Sequence, residues 1–236
     1  MCPKPLPFSK YDQMKAYHWD ECQRNSSRYN PPLEARYIVV AKRIKSGRRI
    51  LDIGCGDGYL TSLVRSFAHQ VVGVDTEPTA VLLAKSKLQQ FPNCRVMQAS
   101  CYELPFANRT FDIAILADVI EHLESPETCL KEITRVLAPN GTLLLTTPKR
   151  RSDRIWDRYH FKEYNPEELL ACLQRYFSGV KVIFFCPIRW YKIYETRVGY
   201  KLMKPFSKYL YNPYLREGDD PKNYHQILAV CEQSRR

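Results

Sequence analysis

The sequence predicts an α/β fold: a parallel sheet with helices on both faces. Three observations predict it. Apolar, strand-like runs alternate with helix-length amphipathic ones from residue 48 to 148. A turn with glycines at 54, 56 and 58 follows the first run. A carboxylate, Asp75, ends the next strand, 17 residues past Gly58.

The elements follow in order. Residues 1–31 form an N-terminal cap of one or two short helices, rich in Tyr11, Tyr17, Trp19 and Tyr29. Pro31–Pro32 opens a helix in which Leu33, Tyr37, Val40, Ala41 and Ile44 recur at helical spacing, and Gly47 stops it. RRILDIG is the first strand, YLTSLVRSF a short helix and QVVGVD the second strand. Pro78 to Gln90 is a helix with Ala80, Leu83, Ala84 and Leu88 on one side. CRVMQAS and FDIAILA are the third and fourth strands. Pro126 to Leu137 is a helix, Pro139–Asn140–Gly141 a turn, and TLLLTT the fifth strand. Pro166 to Phe177 is a helix, VKVIFF a strand, and QILAVCE the final strand. Right-handed crossovers leave few topologies for such a series. One domain over 1–236 is expected, with an insertion at 187–221.

Length suits that reading, because 236 residues sit within the range of a single core. With 44% hydrophobic and 26% charged residues, wholesale disorder is excluded. No apolar run approaches the roughly 18 residues of a membrane span, and MCPKPLPFSKYDQ has no apolar signal core. A cytoplasmic location is expected. The nine cysteines are odd in number and contain no C-x-x-C pair, which disfavours zinc ribbons and disulfide frameworks. They read as small buried residues. A net charge of +11 points to an anionic partner: nucleic acid, an acidic membrane or a phosphorylated substrate.

The glycine turn carries the first chemical signal. In ILDIGCGDG, three glycines permit a sharp strand-to-helix turn and close approach of a ligand to the backbone. Asp75 can accept both hydroxyl protons of a ribose. The spacing is G-x-G-x-G, not the G-x-G-x-x-G of dinucleotide binders. Asp52 also precedes the turn. Its negative charge would offer a pyrophosphate nothing, whereas a cationic sulfonium would gain. These features favour S-adenosylmethionine over NAD.

With ILDIGCGDG, VVGVD, ELPF, FDIAILADVIEHL and RVLAPNGTLLLTTP in place, the chain resembles the class I S-adenosylmethionine-dependent methyltransferases over roughly residues 30–185. The resemblance implies a Rossmann-like, seven-stranded sheet whose last strand is antiparallel. It implies that Gly54, Gly56 and Gly58 pack under the cofactor, that Asp75 binds its ribose, and that Thr76 and Glu77 lie near the adenine. Asp52, Cys55, Ser100, Cys101 and Ala117 complete the implied cofactor set. Ser100 stands where many members carry Asp, and a neutral acceptor makes a weaker hydrogen bond; Cys101 and Tyr102 stand beside it.

Asp118, Glu121 and His122 follow the fourth strand, and His160 follows the fifth. Strand ends on one sheet edge share one crevice, and a helical turn would put Asp118 and His122 on one face. A neutral His122 or His160, with Glu121 beside it, could take a proton from an acceptor hydroxyl. Alternatively, Asp118, Glu121, His122 and His160 could bind a divalent metal such as Mn²⁺ or Mg²⁺. A third reading is that the Glu-His pair only shapes the pocket. The metal reading draws on a second resemblance, to small-RNA 3′-terminal ribose methyltransferases of the Hen type. Those enzymes share an aromatic-x-Pro-Pro-Leu segment, here Tyr29 to Leu33, and an acid, Glu-His and a later His that bind metal; Asp118 stands where they carry Glu.

The stretch 187–216 holds seven Lys or Arg and eight aromatic residues, with Glu195 as its only acid. Trp190, Ile193, Tyr194 and Arg197 would share a helical face, as would Leu202, Phe206 and Tyr209, and Pro205 should break or kink the pattern. Such a segment suits a lid over the site, peripheral membrane contact or RNA stacking. The expected activity is O-methylation of a small-molecule, lipid or glycan hydroxyl. The alternatives are metal-dependent 2′-O-methylation of RNA 3′ ends and a non-catalytic S-adenosylmethionine-binding protein.

Overall fold

The computed structural model describes residues 10–45, 48–152, 155 and 157–233. Gly47, the expected helix stop, lies outside this set, as do residues 1–9 of the cap and Asp153, Arg154 and Trp156. Two short helices, α1 (Lys10–Met14) and α2 (Tyr17–Glu21), form the described part of the cap. Helix α3 (Pro31–Ala41) follows, with the Asn30 side chain accepting from Leu33 N–H and prolines where helical N–H groups have no partner.

The alternation then runs β1 (Arg48–Ile53), α4 (Tyr59–Val64), β2 (Ala68–Asp75), α5 (Pro78–Leu88), β3 (Cys94–Gln98) and β4 (Phe111–Ala117). Next come α6 (Pro126–Val136), β5 (Leu137–Pro148), α7 (Pro166–Gln174) and β6 (Gly179–Pro187). Helices α8 (Ile188–Tyr194) and α9 (Arg197–Tyr209) and the two-residue β7 (Glu217–Gly218) fill the insertion before β8 (Tyr224–Glu232).

The sheet order is β3-β2-β1-β4-β5-β8-β6-β7. Strands β1 to β5 pair in parallel, and β8 runs antiparallel between β5 and β6. Among the described residues the count is therefore eight rather than the expected seven, because β7 adds a short antiparallel edge to β6. The 139–141 turn is instead a bulge inside β5. Phe111 pairs with Leu137 but Ile113 with Thr142, and Asn140 takes the left-handed step at φ 60° that Asn tolerates.

Strand alternation splits the core in two. Leu51, Leu143 and Ala229 join α6 (Leu130, Ile133) and α7 (Leu169, Leu173). Their neighbours Ile50, Leu144 and Leu228 join α3 (Val39, Val40), α4 (Leu60, Val64) and α9 (Met203) on the other face. The eight described cysteines are free thiols, and seven are buried.

Two expectations for the insertion are corrected. Trp190, Ile193, Tyr194 and Arg197 do not share one helix, because Thr196 caps α9 by accepting from Gly199 N–H. Helix α9 also runs through Pro205, so of the expected break or kink the break does not occur. Pro205 is exposed, and Gly199, Met203 and Ser207 bury the opposite side, so packing holds the helix across the missing hydrogen bond.

Candidate active site

The chain leaves β1 toward β2 on one side and reaches β4 on the other, so a crevice opens at the carboxyl ends of β1 and β4. A cavity of about 770 Å³ occupies it. Its lining includes Asp52, Gly54, Cys55, Asp75, Thr76, Glu77, Ser100, Cys101 and Ala117 from the expected cofactor set. Gly56 and Gly58 do not line it; they shape the turn from behind.

All three glycines are left-handed, with φ of 73°, 55° and 80°. At Gly56 a Cβ would stand 1.9 Å from the Tyr11 hydroxyl, and at Gly54 one would stand 2.4 Å from Val119 Cγ2. The turn thus needs glycine for both backbone and space. Asp75 fastens it: Gly56 N–H donates to Asp75 Oδ2 at 2.9 Å, and Glu77 N–H donates to Oδ1 at 2.9 Å. Burial raises the Asp75 carboxyl above its ordinary range, against these two bonds. Each oxygen retains acceptor capacity. Glu77 Oε2 is buried without a partner among the described residues. Burial, then the charges of Asp75 and Asp12, push the Glu77 carboxyl up to about 7.

Asp52 lines the cavity and also has a structural bond. Its carboxylate is buried and accepts from the Thr61 hydroxyl at 2.6 Å, tying β1 to α4. Burial lifts it to about 6, opposed by the Thr61 bond. Cys55 is raised by burial, which keeps it a thiol. Cys101 is lowered by its hydrogen bond with Cys129.

The cap closes the cavity from above. Asp57, fully buried in the glycine turn, accepts from His18 N–H at 2.9 Å, and His18 Nδ1 lies 3.1 Å from its other oxygen. Trp19 Nε1–H donates to the Asp57 carbonyl at 2.8 Å. Tyr17 stacks on His18 at 3.9 Å, and Tyr37 meets His18 edge-on at 5.6 Å. From α3, Pro32, Leu33, Arg36 and Tyr37 also line the cavity. Sequence reasoning singled out neither Asp57 nor Arg36. The signal for Arg36 was its place one turn after Pro32 and Leu33.

The predicted four-residue metal set does not assemble. Asp118 sits in the left-handed region (φ 53°) and pairs with Arg36 at 2.8 Å, while Thr146 donates to its other oxygen at 3.2 Å. Residues 120–122 make one 3-10 turn, so the expected α-helical turn joining Asp118 to His122 is absent. Glu121, His122 and His160 do converge, with one ligand-type atom of each within 4.8 Å of the others. Glu121 is buried and accepts from the Thr147 hydroxyl at 2.9 Å. Burial, then the Asp118 charge, raise its carboxyl well above the usual range. The His122 and His160 rings meet edge-on at 4.8 Å, and both line the cavity. His122 Nδ1 faces the Tyr159 carbonyl at 2.9 Å. A carbonyl only accepts, so Nδ1 carries the hydrogen and Nε2 is the basic nitrogen of the neutral ring. His160 Nδ1 lies 3.0 Å from Glu163 Oε1.

Helix α8 adds Tyr191 and Tyr194 to the wall. The insertion therefore reaches the site and also seats on α3: Asn212 donates to the Pro31 carbonyl at 2.9 Å and to Glu34 at 2.8 Å.

A mostly parallel sheet in this order, with an antiparallel strand inserted beside β5 and a glycine turn under a carboxylate-rimmed crevice, defines a Rossmann-like methyltransferase fold. Residues 51–145 match the family described as methyltransferase domain. Over that stretch the chain is similar to the class I S-adenosylmethionine-dependent methyltransferases. It is 35% identical over 146 residues to a protein of Mycobacterium tuberculosis named "Probable S-adenosylmethionine-dependent methyltransferase", covering 58% of this chain and 52% of that one. It is 33% identical over 165 residues to the ubiquinone biosynthesis O-methyltransferase of Azorhizobium caulinodans, covering 62% and 63%. The chain thus spans about half the length of the mycobacterial relative. Among solved structures, the Haemonchus contortus phosphoethanolamine N-methyltransferase 2 complex with S-adenosylmethionine aligns at a TM-score of 0.69 and 18% identity, over 96% of this chain and 58% of that one. YcgJ of Bacillus subtilis aligns at 0.63 and 19% identity, over 85% and 98%. At those identities the likeness is one of fold.

Proposed function

We propose that the chain transfers a methyl group from S-adenosylmethionine to a hydroxyl on a small-molecule, lipid or glycan acceptor. The donor residues fit the cofactor: Asp75, Glu77 and Ser100 present acceptors for ribose hydroxyls and an adenine amino group. Bound S-adenosylmethionine supplies an electrophilic methyl on a sulfonium that leaves as a neutral thioether. The observation that carries the hydroxyl reading is His122. Its Nδ1 is committed to the Tyr159 carbonyl, and it lines the same cavity as the glycine turn. As the acceptor oxygen forms its bond to carbon, its proton passes to His122 Nε2. Such a base matters most for a hydroxyl, whose pKa is high; amines and thiolates attack without one. The named O-methyltransferase relative supports the same acceptor chemistry.

A second reading is a metal held by Glu121, His122 and His160, motivated by their convergence within 4.8 Å. Against it, burial raises the Glu121 carboxyl well above its usual range, which disfavours the charged form that a cation takes as ligand. One experiment separates the two. Labelled S-adenosylmethionine is incubated with fractionated lipid and metabolite pools, and the rate is followed against pH with and without chelator. The base reading expects chelator insensitivity, a rate rising through one ionisation in the histidine range, and a kcat loss of about 10²-fold or more in His122→Ala. Loss of turnover on chelation, restored by Mn²⁺, would replace the base with the metal. Wild-type rates in His122→Ala and His160→Ala would reject both. Cofactor binding without transfer to any pool would leave a binding protein.

A further inference from the structure

Helix α9 carries three distinct faces. Gly199, Met203 and Ser207 are buried against the body of the protein. Val198, Leu202, Phe206 and Tyr209 fall within about 80° of the helix circumference at 3.6 residues per turn. They face solvent, at 67%, 64%, 38% and 72% exposure. Leu210, the residue after the helix, is 77% exposed. Arg197, Lys201, Lys204 and Lys208 occupy the third face. From 197 to 216 the chain has five cations and no acid. Along α8, a second hollow of about 450 Å³ is lined by Arg189, Lys192, Arg216 and Lys222, with no carboxylate in its wall.

A contiguous exposed apolar stripe is uncommon on a soluble surface and marks a contact. An apolar stripe flanked by lysines, on a helix too short and too polar to span, is the pattern of a helix lying in a membrane interface. No helix among the described residues is long and apolar enough to cross a membrane. We infer that α9 docks this protein on the surface of an anionic bilayer. Val198, Leu202 and Leu210 enter the acyl boundary, and the lysine flank and the basic hollow meet headgroup phosphates.

Two other occupants fit less well. Single-stranded RNA binds by stacking bases on rings, but three of the five most exposed positions are aliphatic. A second copy of the chain would bring two cationic flanks together without acids to pair them. The inference stands apart from the methyl-transfer reading, since docking is measured with neither cofactor nor acceptor present.

The test is flotation of the full chain with phosphatidylcholine vesicles, with and without phosphatidylglycerol. Affinity should be at least about tenfold higher on the anionic vesicles and should fall as salt is raised. Leu202→Glu combined with Leu210→Glu should lower that affinity about tenfold or more, because two apolar insertions are lost. Both positions are exposed, so the thermal melt should match the wild type; Lys201→Glu provides an independent, purely electrostatic variant. Equal, negligible binding to both vesicle types would overturn the inference. So would dimerisation abolished by the leucine variant, or RNA binding abolished by Lys201→Glu in a protein that ignores vesicles.

Discussion

Under the proposed function Asp75 has two duties that share one carboxylate. It receives N–H groups from Gly56 and Glu77, which set the turn, and its remaining lone pairs would accept ribose hydroxyls. Replacing it with Asn removes the charge and turns one acceptor into a donor aimed at a backbone N–H. Charge-assisted bonds of this type contribute about 1.5–3 kcal/mol each. Asp75→Asn should therefore weaken S-adenosylmethionine binding about 100-fold by titration calorimetry, a change of about 2.7 kcal/mol. Unchanged affinity would remove Asp75 from the cofactor site.

At the scale of elements, the cap and the glycine turn act as a clasp. The contact is a buried carboxylate, Asp57, between the turn and α2. Asp57→Ala leaves the His18 N–H without its acceptor and should release α1 and α2. Limited proteolysis should then cut within residues 10–28 earlier than in the wild type, and cofactor affinity should drop roughly tenfold. An identical cleavage course in both proteins would show that the cap is held elsewhere. This clasp also marks where reading the sequence stopped. The turn, Asp75 and the Glu121–His122 pair were legible because each is a local pattern on adjoining residues. His18 and Asp57 lie 39 apart, and Arg36 and Asp118 lie 82 apart. Nothing in either local segment announces its partner; tertiary packing alone brings them together. The 139–141 bulge was missed for a related reason. Pro-Asn-Gly favours a turn, yet Leu137 already pairs with Phe111 across the sheet.

For the whole molecule, two buried groups set opposing responses to acid. Asp52 titrates near 6 in the fold and roughly 3.9 unfolded, so the fold binds the extra proton between those values. Its contribution to stability falls as pH rises through that window. His225 is lowered to about 4 by burial and by the charges of Arg151, Lys149 and Lys192, against roughly 6.5 unfolded. There the unfolded chain binds the extra proton, and stability rises with pH. The two slopes partly cancel between pH 4 and 6. Asp52→Asn keeps an acceptor for the Thr61 hydroxyl and removes one slope. It should raise Tm at pH 7 and make Tm fall more steeply than in the wild type as pH drops below 6. Parallel Tm curves for the two proteins would show that Asp52 does not titrate in this range.

The place of β8 has a consequence in time. Ribosomes release β5 and β6 before β8, yet these two strands are not paired: β8 lies between them, paired with both over residues 226–232. Until residues 224–232 emerge, β5 has a bare edge, and β6, with α8 and α9 behind it, has no sheet to join. Exposed strand edges of this kind invite wrong partners. The nascent chain therefore passes through a stage in which its first five strands are assembled but the wall that carries Tyr191 and Tyr194 is not yet anchored. The sheet and that wall of the pocket are completed together, by the arrival of the last strand of the eight.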